Sequence, residues 1–281
     1  MSTGDHQPAT SRPRRGRPHG RQKAEAPVSE RTSSQRRTAS PPAPSGAGSP
    51  ARSAGSFWDA LDAPQRRALR TVARTRTYNA KAPLCYQGEQ SDHIIVIESG
   101  WAKVVALAET GQEVVLAVRG PGELICESAA LGSRQRSATI SALSPLRALV
   151  VPAARFTAFL DAHPEAWRMV STTFVQRLDE GGRRAQAHVS VKGAQRLALL
   201  LITLAELSVR HTPPAPDGSI DIAPPLSQEE LGSCMDSSRE TVARALNHLR
   251  RRGLVSTGWR RTTVVDLEGL RSFAAGRPPR E

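Results

Sequence analysis

The sequence predicts a mixed α+β protein, because the hydrophobic period changes twice along the chain. Short β-rich runs punctuated by glycine lie between Ala82 and Glu123, a long helical pattern follows His163, and two short amphipathic helices with a hairpin come last. The first predicts a small β-roll or barrel, the second a long connecting helix, and the third a compact C-terminal domain. The expected boundaries are 1–55 for a tail, 56–160 for the barrel, 161–191 for the long helix, 192–269 for the C-terminal domain and 270–281 for a second tail.

Residues 1–55 are rich in Ser, Pro, Ala, Gly and Arg and nearly devoid of large apolar side chains. Such a segment cannot bury enough surface to offset its conformational entropy, so disorder is expected. Three readings stay open for it: a DNA-tethering arm whose arginines release counterions from phosphate, a solvated leader without a role, and a start codon set upstream of the true one. Phe57, Trp58, Leu61, Leu69 and Val72 then repeat at roughly helical spacing. Runs such as Ile94–Ile97, Ala102–Ala106 and Val114–Val118, broken by Gly88, Gly100, Gly111 and Gly120, predict the strands of the barrel, an architecture that encloses a pocket readily.

Leu146–Val151 predicts one more strand, after which His163 and Pro164 open a helix reaching about Val191. Trp167, Val170, Phe174 and Leu178 form its apolar stripe. Gly181 and Gly182 lie in its middle, where each costs about 1 kcal/mol relative to alanine, and predict a softened, hinge-like stretch. Leu197, Leu200, Leu201 and Leu204 give the next helix its core face, and the proline-rich loop from His211 to Asp217 reads as a surface connection. Ile220 and Ile222 suit a short strand.

The most informative stretch is LSQEELGSCMDSSRETVARALNHLRRRGLV, Leu226 to Val255. Ser227 with Glu230 three residues on has the spacing of a capping box and predicts a helix start. Asp236, Ser237 and Ser238 interrupt the pattern, and Ser238 can cap a second helix from Arg239. In that helix Val242, Ala245, Leu246 and Leu249 stand at i, i+3, i+4 and i+7, one buried stripe. A turn this short forces a steep crossing, as in a helix-turn-helix whose second helix enters the major groove. Ser237, Ser238, Arg239, Glu240, Thr241 and Arg244 are then the candidate DNA-binding residues: arginine can donate twice to guanine and glutamate can accept from cytosine. Arg250, Arg251 and Arg252 suit phosphates. Leu254–Thr257 and Thr262–Val265 around Gly258 read as a hairpin, making the motif winged, and Leu267–Phe273 as a terminal helix.

The run SSRETVARAL and the hairpin after it resemble the recognition helix and wing of the Crp/Fnr family of bacterial transcription regulators. That resemblance implies a β-roll sensor domain, a long dimerisation helix and a winged helix-turn-helix reader, with Arg239, Glu240 and Arg244 reading bases. The family often has glycine at the turn, where this chain has Asp236, a residue that tolerates the left-handed backbone. The stretch PGELICESAALGSRQRSATI, Pro121 to Ile140, resembles the phosphate-binding cassette of cyclic-nucleotide-binding domains. By that resemblance Glu127 binds the ribose hydroxyl, Arg136 the cyclic phosphate, and Ser137 stands beside it. Cys126 occupies a position that is normally glycine, and Gly181 and Gly182 fall where cyclic-AMP-responsive relatives carry hydroxyl side chains that touch the base.

The resemblance therefore implies a cyclic nucleotide effector, cyclic AMP or cyclic GMP, with double-stranded DNA, a second copy of the chain and RNA polymerase as partners. A homodimer suits the task, since two recognition helices must reach half-sites one helical turn, ~34 Å, apart. A ligand-independent DNA-binding regulator with a degenerate sensor stays open as the alternative.

The charge of the chain points the same way. Lys and Arg number 39 against 26 acids, a formal charge of +13, which favours a polyanionic partner. Ten bases (Arg12, Arg14, Arg15, Arg17, Arg21, Lys23, Arg31, Arg36, Arg37, Arg52) and three acids (Asp5, Glu25, Glu30) lie in residues 1–56, so just over half the excess sits in the tail. Cys85, Cys126 and Cys234 lack CxxC spacing, which argues against a zinc site, an iron-sulfur cluster or a disulfide framework. Cys126 alone remains a minor candidate for a redox-sensitive thiol. No apolar run approaches the ~20 residues of a membrane span and no signal core is present, so a cytosolic protein is expected. No nucleophile elbow, Walker loop or metal cluster argues for an enzyme, and His163, His188 and His248 stand isolated.

Overall fold

The computed structural model describes residues 56–277 except 109, 110, 112, 133, 192 and 260. The expected N-terminal tail, residues 278–281 and the side chains of residues 188–190, His188 among them, lie outside the described residues. Two short helices, α1 (Phe57–Ala60) and α2 (Ala63–Val72), replace the single helical run expected from Phe57 to Ala73. The break has a local cause. Asp62 accepts from the Gln65 amide while the Gln65 side chain accepts from the Asp62 amide, and Pro64 sits in the first turn, so the helix restarts there.

Eight strands follow: β1 (Arg74–Tyr78), β2 (Pro83–Cys85), β3 (His93–Ser99), β4 (Ala102–Leu107), β5 (Glu113–Arg119), β6 (Leu124–Ile125), β7 (Thr139–Ala142) and β8 (Leu146–Pro152), with the one-turn helix α3 (Glu127–Leu131) before β7. They form two antiparallel sheets, ordered β1-β8-β3-β6 and β2-β7-β4-β5. Strand β3 is apolar on both faces because it lies between two cores. Ile95 and Ile97 point into the space between the sheets, with Leu84, Cys85, Ile140 and Ala148. Ile94 and Val96 alternate to the other side and meet Phe57, Leu69, Phe156 and Leu160 of the helices.

After β8 the chain forms α4 (Ala153–Ala162), an element absent from the expectation above, which buries Phe156, Phe159 and Leu160. The expected barrel boundary at residue 160 falls inside it. The residue preceding a proline resists the helical conformation, so α4 stops at Ala162, and α5 (Pro164–Ser190) starts with Pro164 in its first turn. The predicted stripe of α5 divides. Val170 and Phe174 face the helical core, whereas Trp167 and Leu178 stand exposed with Val175. Their angular positions differ by less than a quarter turn, so the apolar arc rolls over the edge of the contact. The helix runs unbroken through Gly181 and Gly182, and a Cβ at either would meet open space.

The C-terminal domain comprises α6 (Ala194–Val209), β9 (Ile220–Asp221), α7 (Gln228–Met235), α8 (Arg239–Arg251), β10 (Val255–Gly258), β11 (Arg261–Val264) and α9 (Leu267–Ala274). Leu197, Leu201 and Leu204 of α6 make its centre, and the strands form a small sheet ordered β10-β11-β9. Leu270 and Ala274 are buried against it, so the tail expected from residue 270 instead begins inside α9. This core continues into the roll through Trp101, Val118 and Leu143. Trp101 meets the His211 ring edge-on at 5.3 Å, which makes the start of the proline-rich loop a packed element rather than a free surface connection.

Helix α7 lies on the edge of β5: the Val115 amide donates to Ser233 Oγ, which donates to the Glu113 carbonyl, at 3.2 and 2.7 Å. Lys103 Nζ reaches Glu230 Oε1 at 2.9 Å. Burial opposes ionisation of Glu230, yet the Ser227 amide and the Lys103 ammonium outweigh it and hold the carboxyl below its ordinary value.

Glycine substitutions test this packing. Gly181→Ala with Gly182→Ala should raise stability by up to about 1 kcal/mol each, since only helix propensity changes. A Cβ at Gly232 would lie 2.5 Å from the Ser237 carbonyl oxygen, so Gly232→Ala should cost about 1–3 kcal/mol. Urea denaturation checks both; a stable Gly232→Ala variant would contradict the close approach at the turn.

Candidate functional sites

Helix α3 follows directly on Cys126, whose φ of +70° lies in the left-handed region. Glycine adopts that region freely and cysteine does so at a cost, which explains why glycine suits this position. The turn delivers Glu127 into the interior, 1% exposed, and the loop before β7 delivers Arg136, 4% exposed. Ser137, the third residue expected here, is exposed. The Cys126 thiol feels both the Arg136 guanidinium and the Glu127 carboxylate, so both charges lie within electrostatic reach of this turn.

Their bonding is incomplete. Arg136 Nη2 lies 3.2 and 3.4 Å from the His93 ring nitrogens and donates to the His93 carbonyl at 3.3 Å. Asp92 Oδ1 holds His93 Nδ1 at 2.5 Å. Arg136 Nη1 is buried without a hydrogen-bond partner, and so is Glu127 Oε2. A buried cation and a buried carboxylate oxygen left unmatched carry an unmet electrostatic demand.

Glu127 Oε1 is taken by Arg177 of α5, whose other terminal nitrogen donates to the Leu124 carbonyl. Burial pushes the Arg177 pKa down, against the pull of Glu127. One turn further on, Glu180 pairs with Arg119 of β5 at 3.1 Å, and Arg184 donates to the Leu116 carbonyl. Sequence reading missed Arg177 and His93. Arg177 does carry a signal: it continues the buried register of Val170 and Phe174, where a charge demands a partner.

In the C-terminal domain the local expectations hold. Ser227 Oγ accepts from the Glu230 amide, Glu230 Oε2 accepts from the Ser227 amide, and Asp236 ends α7 at φ +51°. Ser238 Oγ caps α8 by accepting from the Thr241 amide at 3.2 Å. Val242, Ala245, Leu246 and Leu249 are buried, which leaves Arg239, Glu240 and Arg244 exposed on the outer face. Arg244 Nη2 donates to Thr241 Oγ1 at 3.3 Å, and half-buried Ser237 supports the turn through the Met235 carbonyl. All three residues of the basic run, Arg250, Arg251 and Arg252, are exposed, and the Arg252 guanidinium also lies 5.0 Å above the Phe273 ring.

The wing is braced from below. Arg261 pairs with Asp221, and Thr263 Oγ1 donates to the same carboxylate at 2.6 Å. Trp259, 91% exposed, stands at the hairpin end. An open cleft between the start of α7, α8 and the wing is lined by Gln228, Arg239, Leu246, Thr257 and Arg261. The isolated histidines pack: His163 stacks on Phe159 at 4.7 Å and His248 lies 5.6 Å from Phe273.

Among the described residues, no group of three or more His, Cys, Asp or Glu is arranged to hold a metal, and no helix is long and apolar enough to cross a membrane.

Comparison with known proteins matches residues 75–163 to the cyclic nucleotide-binding domain and residues 195–273 to the Crp-like helix-turn-helix domain. The cAMP-activated global transcriptional regulator CRP of Pasteurella multocida is 27% identical over 180 residues, 64% of this chain and 84% of that protein. The transcriptional regulator SdrP of Thermus thermophilus is 25% identical over 208 residues, 73% of this chain and 96% of that protein. The solved structure of FixK2 from Bradyrhizobium japonicum, 18% identical, shares the fold with a TM-score of 0.62 over 72% of this chain and 96% of its own. The first two of these relatives are transcriptional regulators, not enzymes. With a sensor-type roll, a long helix and a Crp-like reader in one chain, the protein belongs to the Crp/Fnr family of DNA-binding transcriptional regulators.

Proposed function

We propose that the protein acts as a homodimeric, sequence-specific regulator whose DNA affinity is set by a cyclic nucleotide held between Glu127 and Arg136. The observation that carries the DNA-reading part is the exposed ridge of Arg239, Glu240 and Arg244 on α8, whose opposite face is locked in the core. Ser238 and Thr241 fix the start of that helix, so the ridge is held rigid before it meets a groove. Arg239 and Arg244 are suited to guanine edges and Glu240 to the cytosine amino group. Exposed Arg251 is suited to phosphate.

Supporting the effector part are the two unmatched buried atoms. Arg136 Nη1 is a charged donor complementary to a phosphate oxygen, and Glu127 Oε2 is an acceptor for a ribose hydroxyl, available while Arg177 keeps Oε1. A bound cyclic nucleotide would supply the negative charge that this pocket lacks. Gly181 and Gly182 bring no side chain to the base, which leaves the choice between cyclic AMP and cyclic GMP to other contacts. A second reading, a ligand-independent regulator, is favoured by Cys126 in the left-handed turn and by Arg177 closing on Glu127.

The dimer rests on α5, where Val175 is 59% and Leu178 77% exposed, with exposed Trp167 on the same helix. Apolar side chains grouped along one helix edge suit a symmetric mate.

Arg239→Ala should weaken binding to the preferred site by ~1–3 kcal/mol and relax base preference, whereas Arg251→Ala weakens all sequences alike. Gel shifts on specific and scrambled DNA compare them, and equal losses on both DNAs for Arg239→Ala contradict base reading. Calorimetric titration with cyclic AMP and cyclic GMP should give saturable heat with the natural chain and none with Arg136→Ala; no heat from either ligand selects the ligand-independent reading. Leu178→Glu should convert a dimer to a monomer in sedimentation experiments, and an unchanged mass removes α5 as the contact.

A further inference from the structure

We propose that Cys85 and Cys126 are a dithiol that closes to an intramolecular disulfide under hydrogen peroxide, clamping the strand whose following loop braces Arg136 onto the turn that carries Glu127. Neither residue belongs to a CxxC motif, since they are 41 positions apart in sequence, yet their sulfurs stand 3.7 Å from each other. A disulfide sets this distance at ~2.05 Å, so the sulfurs must approach by about 1.7 Å. The third cysteine, Cys234, lies on α7 and takes no part.

The backbone around the pair gives the bond its consequence. Cys85 ends β2, opposite Ile140 of β7. The loop that follows it holds Arg136 by two backbone bonds, from the Gly88 amide to the Arg136 carbonyl and from the Arg136 amide to the Glu89 carbonyl, each 2.9 Å. Cys126 lies between Ile125 of β6 and Glu127. A covalent bridge here joins the segment that braces Arg136 to the segment that delivers Glu127.

The chemistry balances with hydrogen peroxide as oxidant. The hydrogen bond from Cys126 and, against burial, the Arg136 guanidinium hold the Cys85 thiol below its ordinary value, so Cys85 is the attacking sulfur. Its thiolate attacks one peroxide oxygen, the O–O bond breaks, and a sulfenic acid forms as hydroxide leaves and takes up a proton to become water. The Cys126 sulfur then displaces the second oxygen as water and the S–S bond forms. Two thiols lose two electrons and two protons, and one peroxide becomes two waters.

The test treats the reduced full chain with hydrogen peroxide, alkylates the remaining thiols and maps peptides by mass. The expected result is a linked peptide pair containing Cys85 and Cys126, with Cys234 alkylated, and amide exchange at least tenfold slower over residues 86–89 and 127–131. Cys126→Gly suits the left-handed turn and keeps the fold; it and Cys85→Ser should both lose the peroxide response while folding as the natural chain does. Recovery of both thiols alkylated, accumulation of Cys126 as sulfinic acid with Cys85 free, or unchanged exchange in the two segments overturns the proposal. None of these readouts involves a nucleotide or DNA, so the result is independent of the effector reading.

Discussion

The pairing of Glu127 with Arg177 is the constraint on which the placement of the long helix α5 against the roll depends. Glu127 is removed from water while Arg177 is partly exposed, and a buried carboxylate stripped of its cation costs several kcal/mol, so Glu127 does not tolerate the loss of Arg177. The pair also fixes the rotation of α5 about its own axis. Once Arg177 faces the cassette, Glu180 and Arg184 face Arg119 and the Leu116 carbonyl of β5, and the opposite edge presents Trp167, Val175 and Leu178 outward. One buried carboxylate thus ties the turn at the start of α3 to the orientation of the longest helix, after which the chain continues into α6.

Unequal legibility of the chain follows from the range of the forces involved. The capping box of Ser227 and Glu230, the left-handed Asp236 and the stripe of α8 were readable because each is decided within four or five residues. The sensor roll and its buried Glu127 and Arg136 were readable through family resemblance, and their burial follows. Helix α4 was written in the spacing of Phe156, Phe159 and Leu160, but its position between a strand and a longer helix hid it.

Contacts between distant segments were not readable. Arg177 meets Glu127 fifty positions away, Ser233 meets β5 across more than a hundred, and Cys85 meets Cys126 only because β2 and β6 are brought together by folding. No local pattern encodes such meetings, although a charged residue in an apolar register, as at Arg177, announces that one must exist. Arg252 illustrates the converse: a run of three arginines suggests three equivalent surface charges, and an aromatic neighbour on α9 gives one of them a packing contact as well.

Glu230 serves two masters with separate oxygens. Its Oε2 completes the start of α7 and its Oε1 answers Lys103 on the roll. Because the two duties do not share an atom, loss of the Lys103 contact leaves the internal bracing of the helix-turn-helix in place, while Ser233 and the shared core around Trp101 still hold the reader to the roll.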